Sequence, residues 1–196
     1  MQVMEFLKKA YFFTLDLLQT ILLAASIFLV IYIFFFRPFQ VSGESMYPTY
    51  ENKEYILTNL IGLKFDKPHR GDVIVFKAPT DKDKDFIKRV IGLPGDSVTL
   101  IDGFVYVNGK KLDESKYLGK DVRTYGGSTI KDGQPFVAPP GEYIVMGDNR
   151  PFSSDSREWG LLKGTEIIGK SFFVYWPAKD KSMRLITNPF PASQQK

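Results

Sequence analysis

Cysteine is absent from the chain and histidine occurs once, at His69. The first absence removes thiol nucleophiles, disulfides, CxxC redox chemistry and zinc sites built from cysteine and histidine. The second leaves any Ser-His-Asp arrangement resting on His69 alone. That residue sits in the turn Pro68-His69-Arg70-Gly71-Asp72 with no local partner, and it is expected to be a solvated loop residue. A stripe of one charge sign is also missing. The 26 Lys and Arg are interspersed with 22 Asp and Glu, so the net +4 is a weak bias suited to anionic lipid and not a nucleic-acid footprint. No internal repeat or low-complexity tract is present. With 196 residues, 44% of them hydrophobic, the chain can bury one good core.

What is present begins with an apolar run. Residues 17–36, LLQTILLAASIFLVIYIFFF, are uncharged and long enough to cross a bilayer as a helix. A removable signal peptide would have a shorter apolar stretch ending in small residues, whereas this one ends Phe34-Phe35-Phe36-Arg37-Pro38. Lys8 and Lys9 precede the run, and Asp16 and Arg37 flank it. The positive-inside rule therefore predicts a short cytoplasmic tail (1–16), a retained single-pass anchor (17–36) and an extracytoplasmic domain (37–196) at the plasma membrane.

Beyond Pro38 the pattern changes to short runs of Val, Ile, Phe and Tyr bounded by Gly, Pro and Asp. Strands are predicted at 54–58, 72–76, 86–93, 97–101, 104–107, 142–146 and 167–176. Asn108-Gly109 reads as a two-residue hairpin turn, with further turns at Leu93-Pro94-Gly95-Asp96 and Ala138-Pro139-Pro140-Gly141. The expected fold class is mainly β, an N-terminal transmembrane helix followed by a barrel-like sheet. Residues 108–135 form a polar insertion of undefined structure.

Three motifs invite other functions. Residues 164–171 match the phosphate-loop pattern GxxxxGK[ST], but the sequence that follows reads as a strand running into Pro177, where such a loop must open a helix. Ser128-Thr129-Ile130-Lys131 fits an SxxK motif, yet Gly126-Gly127 and Asp132-Gly133 on its flanks argue against the helical turn that motif needs. Arg70-Gly71-Asp72 is read as a tight turn into a strand.

Chemistry is carried by three other pieces. Val41-Ser42-Gly43-Glu44-Ser45-Met46-Tyr47-Pro48-Thr49 places a serine between glycine and proline close to the anchor; taken alone, that serine could simply shape a turn. In Phe86-Ile87-Lys88-Arg89-Val90, alternation puts Lys88 on the face of Phe86 and Val90, with Arg89 pointing the opposite way as a cation. A lysine in a strand is ordinarily a surface residue, but burial on an apolar face lowers its pKa toward that of a general base. The third piece is the polar loop 147–160, Gly147-Asp148-Asn149-Arg150-Pro151-Phe152-Ser153-Ser154-Asp155-Ser156-Arg157-Glu158-Trp159-Gly160.

In this order behind an N-terminal span, and with the Gly-Asp-Val stretch at 70–76, the pieces closely resemble the bacterial type I signal peptidases, membrane serine proteases with a Ser/Lys dyad. The resemblance covers essentially the whole chain. It implies Ser45 as nucleophile and Lys88 as general base, with Ser153 hydrogen-bonding and aiming Lys88. Asp155 and Arg157 would form an ion pair holding the loop, with Asp148 and Arg150 shaping it. Val41, Met46, Tyr50, Phe86 and Ile87 would line pockets for small substrate residues. Many relatives carry a second oxyanion donor two residues before the nucleophile; here that position is Gly43, which has no hydroxyl. The implied partners are secretory preproteins, the lipid bilayer and the secretion translocon, with no nucleic acid, cofactor or metal. Two rivals are a self-cleaving repressor-type protease, which lacks its DNA-binding segment here, and a catalytically silent membrane-anchored β domain that binds exported proteins.

Overall fold

Residues 2–37 contain neither glycine nor proline, and in the computed structural model, which describes residues 2–179 and 181–195, they begin with one unbroken helix, α1 (Gln2–Phe35). Its stretch Gln2–Val30 has the length and apolarity of a membrane-crossing helix and none of it is buried against the rest of the protein. The helix extends beyond the expected anchor toward the N-terminus, because residues 2–16 hold no helix breaker, and it stops at Phe35. Pro38 accounts for the stop, since it disfavours helical backbone at Arg37 and cannot donate in the turn that follows. Phe36, expected in the anchor, opens strand β1 (Phe36–Gln40), so the helix feeds the sheet without a linker.

The remaining strands are β2 (Tyr55–Asn59), β3 (Val73–Ala78), β4 (Asp81–Gly92), β5 (Ser97–Ile101), β6 (Phe104–Val107), β7 (Lys110–Lys111), β8 (Phe136–Val137), β9 (Glu142–Met146), β10 (Leu162–Lys163), β11 (Ile167–Trp176) and β12 (Arg184–Leu185). One sheet runs β1-β2-β11-β3-β4-β9-β10, with β12 added on β11, and a smaller one runs β7-β6-β5-β8. Antiparallel pairing joins neighbouring strands throughout. β1, unforeseen in the sequence, tolerates Pro38 because it lies at the sheet edge. The Asn108-Gly109 turn forms as expected, with φ of 51° and 77°. Asp102-Gly103 makes a second turn of the same kind between β5 and β6.

β3 explains why its sequence is a continuous apolar run. Val73 and Val75 belong to a core cluster with Val41, Met46, Tyr50 and Ile56, whereas Ile74 and Phe76 face a second cluster with Val90, Val145 and Leu162. A strand buried on both faces has no polar side to show. A third cluster, including Ile91, Val98, Leu100 and Ile144, lies under the smaller sheet.

The motifs set aside above take structural roles. Lys170 of the GKS match lies in β11 and pairs with Asp72 at 2.7 Å. Lys131 donates to its neighbour Gly127 at 2.9 Å, outside any helix. His69 is not simply solvated: it is half-buried, 3.6 Å from Asp66 and 3.9 Å from Asp72. Asp72 also accepts the His69 N–H at 3.0 Å within the tight turn, so the partners of His69 are the carboxylates three residues away on either side.

The insertion is an ordered arm. Its Leu112, Tyr117 and Ile130 are buried in the third cluster. Its Glu114 pairs with Arg150, and Thr129 N–H donates to the Arg157 carbonyl at 2.8 Å.

Arg89, expected to point away from Lys88 as a cation, is 2% exposed and ion-paired. Its Nε and Nη2 donate to the two Asp148 carboxylate oxygens at 2.8 and 2.6 Å, and its guanidinium stacks 4.1 Å from the Tyr117 ring centre. Arg89→Leu strands the Asp148 charge in the interior and is expected to cost about 3–5 kcal/mol. Urea denaturation of the detergent-solubilised protein checks this; a loss under about 1 kcal/mol would show that water reaches Asp148.

Candidate active site

The segment 41–50 leaves β1 and is pinned to its neighbours along its length. Val41 exchanges backbone bonds with Glu54 and Lys53, both at 2.8 Å. Gly43, at φ +92°, occupies the left-handed region that glycine enters freely, and its N–H donates to Asn52 Oδ1 at 3.0 Å. Glu44 to Tyr47 closes a turn, and Tyr50 N–H donates to the Met46 carbonyl at 2.9 Å. Thr49 Oγ1 donates to Asp148 Oδ2 at 2.5 Å, tying the segment to the Arg89 ion pair.

That turn corrects two expected pocket residues. The bond between positions 46 and 50 stacks Met46 and Tyr50 on one side, and that side faces inward. Both are fully buried, and the Tyr50 hydroxyl bonds Ser171 Oγ at 2.8 Å. Burial drives the Tyr50 pKa well up, so the phenol stays neutral. Val41, Phe86 and Ile87 do line the groove beside Ser45, a cavity of about 400 Å³, together with Ile56, Val75 and Phe39. Ile56 and Val75 were not picked out from the sequence, since β2 and β3 reach the groove only through sheet pairing.

Lys88 lies opposite Ile74 in the β3–β4 register and is 4% exposed. Its Nζ donates to Ser45 Oγ at 2.7 Å and to the Ile87 carbonyl at 3.0 Å. Burial lowers its pKa to about 8, against the opposing pull of the Asp155 and Asp148 carboxylates. The expected bond from Ser153 to Lys88 is not formed. The Ile87 carbonyl, on the same strand as the lysine, orients the amine in its place. Ser153 Oγ is buried and has no hydrogen-bond partner among the described residues.

The loop 147–160 supports this arrangement. Asp155 caps the short helix α2 (Ser156–Trp159), receives both Arg157 Nε and Nη2 at 2.9 Å, and accepts Gly147 N–H at 3.0 Å. Burial alone would raise the Asp155 pKa, but these donors outweigh it and hold the carboxyl below its usual range. Arg150 is fully buried against Glu114 and Thr124 of the insertion. Two residues of the loop that received no individual role from the sequence lie against the serine segment. Gly147 packs so closely that a Cβ there would overlap Ser153 Oγ and the Ser45 carbonyl oxygen. Asn149 bonds the serine segment twice, N–H to the Ser45 carbonyl at 3.0 Å and Nδ2 to the Glu44 carbonyl at 3.1 Å. Their only signal was a dense polar loop.

A hydroxyl bonded to a desolvated amine in an apolar groove has the parts needed for nucleophilic attack with proton transfer. Comparison with known proteins shows the family. The family described as signal peptidase, peptidase S26, matches residues 14–176. Signal peptidase IB of Staphylococcus aureus is 39% identical over 176 residues, which are 83% of this chain and 91% of that protein. Signal peptidase I of Bacillus caldolyticus is 42% identical over 154 residues, 75% of this chain and 83% of the other. A crystal structure of a signal peptidase I from Enterococcus faecalis, 32% identical, aligns at a TM-score of 0.45 over 54% of this chain and 97% of that one. With a family match across most of its length and relatives this similar over nearly all of theirs, the chain belongs to the S26 signal peptidases and is a peptidase.

Proposed function

We propose that this peptidase is a membrane-anchored endopeptidase that removes signal peptides from exported preproteins, using Ser45 as nucleophile and Lys88 as general base. The observation that carries the reading is the 2.7 Å bond from the buried Lys88 amine to Ser45 Oγ. A silent binding domain has no use for a lysine desolvated against a serine, whereas a general base needs a pKa near the working pH.

The groove has free strand edges on both sides. β4 pairs with β3 over Asp81–Arg89 but with β9 only from Arg89 onward, leaving residues 84–88 unpaired on that side. β1, with the residues that follow it, is the opposite edge. An extended cleavage region adds a strand between them, main chain to main chain, with small side chains entering the shallow apolar groove. Neutral Lys88 takes the Ser45 proton as Oγ attacks the scissile carbonyl. The proton passes to the leaving amine as the peptide bond breaks, giving an ester on Ser45. Lys88 then deprotonates a water that hydrolyses the ester, returning the proton to Ser45 Oγ. The Ser45 N–H, bonded to no acceptor among the described residues, faces the developing oxyanion.

The anchor lies within α1, with Lys8 and Lys9 on the cytoplasmic side and the sheets outside. Holding enzyme and preprotein at one bilayer face raises their effective concentration.

Ser45→Ala and Lys88→Ala are each expected to reduce cleavage of a purified secretory precursor by on the order of 10⁴-fold or more, measured by gel in detergent. Substantial residual turnover in either would end the dyad assignment. In the native enzyme kcat/KM should rise about tenfold per pH unit on the acid side and level off above about 8, where Lys88 is neutral. A plateau already reached near pH 7 would count against Lys88 as the base.

Lys88 also links pH to stability. Its folded pKa of about 8 lies below the ordinary 10.5, so between those values the unfolded chain binds the extra proton and stability rises with pH. Lys88→Met is expected to stabilise the protein by about 3 kcal/mol at neutral pH and to abolish that rise, as read by denaturation at pH 7 and pH 10.

A further inference from the structure

The catalytic reading leaves open what holds the oxyanion donor in place, because Gly43 supplies no second hydroxyl and the Ser45 N–H stands alone. The geometry points to Asn149 as a positioning residue that orients the Glu44–Ser45 peptide, so that the Ser45 N–H is aimed at the oxyanion before substrate arrives. The inference rests on the Ser45/Lys88 assignment above.

The Glu44 carbonyl and the Ser45 N–H belong to the same planar unit, and among the described residues the sole cis bond is Tyr47–Pro48, so this unit is trans. In a trans peptide the C=O and N–H point in opposite directions. Whatever fixes the carbonyl therefore fixes the N–H. The Glu44 oxygen accepts two bonds, from Tyr47 N–H at 3.0 Å and from Asn149 Nδ2 at 3.1 Å. The first is local to the turn; the second comes from the distant loop 147–160. Rotating the peptide would break both at once.

The next peptide is held from the same residue. The Ser45 carbonyl accepts Asn149 N–H at 3.0 Å, so a single loop residue grips the carbonyls on both sides of the Ser45 Cα. Gly147 allows this approach, since any side chain there would run into the Ser45 carbonyl. Asp155 anchors the Gly147 N–H at 3.0 Å, so the grip is braced from the Arg157 ion pair. A hydrogen-bond donor that is already oriented stabilises developing charge without reorganisation during the reaction. Asn149 touches neither the scissile bond nor Lys88, so its contribution passes through the peptide it holds.

The side-chain and main-chain halves of the grip separate experimentally. Asn149→Ala deletes the bond to Glu44 and keeps the backbone bond to Ser45. Asn149→Asp preserves shape but sets a carboxylate against a carbonyl. In the full-length detergent-solubilised enzyme, Asn149→Ala should lower kcat about tenfold with KM unchanged, and Asn149→Asp should lower it further. A peptide boronate ending in a small residue, whose tetrahedral adduct places an oxygen where the oxyanion forms, should lose affinity by a similar factor. Affinity for an uncleavable peptide with proline after the scissile position should stay level. The acid limb of the pH profile should keep its position near 8, because Lys88 is untouched. Unchanged kcat in both variants overturns the proposal. So does a loss confined to KM or to melting temperature, with boronate affinity intact. Ser45→Ala, run alongside, separates the two layers: if it still cleaves, the dyad assignment fails and this inference falls with it; if it is inactive while both Asn149 variants match the native enzyme, only this inference falls.

Discussion

Lys88 and Arg89 are adjacent on β4, both almost wholly removed from water, and the structure treats their charges in opposite ways. Strand alternation sends them to opposite faces. Arg89 meets Asp148, which compensates its charge with two short bonds, so it stays a cation and ties β4 to the loop 147–160. Lys88 meets a serine hydroxyl and a carbonyl, neither of which carries compensating charge, so burial lowers its pKa to about 8. The remaining features of the site serve one or other of these two burials. Exchanging the two environments would give a fixed cation in the groove and an unstable amine in the core.

The loop 147–160 is where the burials meet. Asp148 neutralises Arg89 and accepts Thr49, Asn149 grips the serine segment, and Asp155 receives Arg157 and Gly147 N–H. The loop is itself held from outside by the insertion, through Glu114 on Arg150 and Thr129 on the Arg157 carbonyl. A segment that looked like a polar excursion between strands is thus part of the chain of contacts that fixes Ser45. Its apolar residues Leu112, Tyr117 and Ile130 are too widely spaced to show a strand or helix period, which is why their burial could not be read from their spacing.

Some features were legible because the signal is local. The strands at 97–101, 104–107, 142–146 and 167–176 coincide with the runs of β-branched and aromatic residues, and Asn108-Gly109 takes the positive φ values its composition favours. Others depended on partners far along the chain. Met46 and Tyr50 sit inside because a turn stacks them against Ile56 and Ser171, and β1 exists because β2 pairs with it. Nothing near Ser153 in sequence indicates that Lys88 takes its second bond from its own strand, at Ile87.

By itself the sequence determined what is absent and what kind of elements can form. Without cysteine and with one histidine, a serine with an amine base is among the few nucleophilic arrangements left, and the apolar run after Lys8 and Lys9 has the length and composition of a membrane-crossing helix. These conclusions follow from residue identity and from periods of a few residues, and both are written along the chain. Tertiary structure alone decided that Lys88 is dry, that Arg89 is paired, and that Asn149 holds the peptide on either side of Ser45. Desolvation and hydrogen-bond direction depend on which surfaces the sheets bring together from residues many tens of positions apart, and no local pattern encodes that.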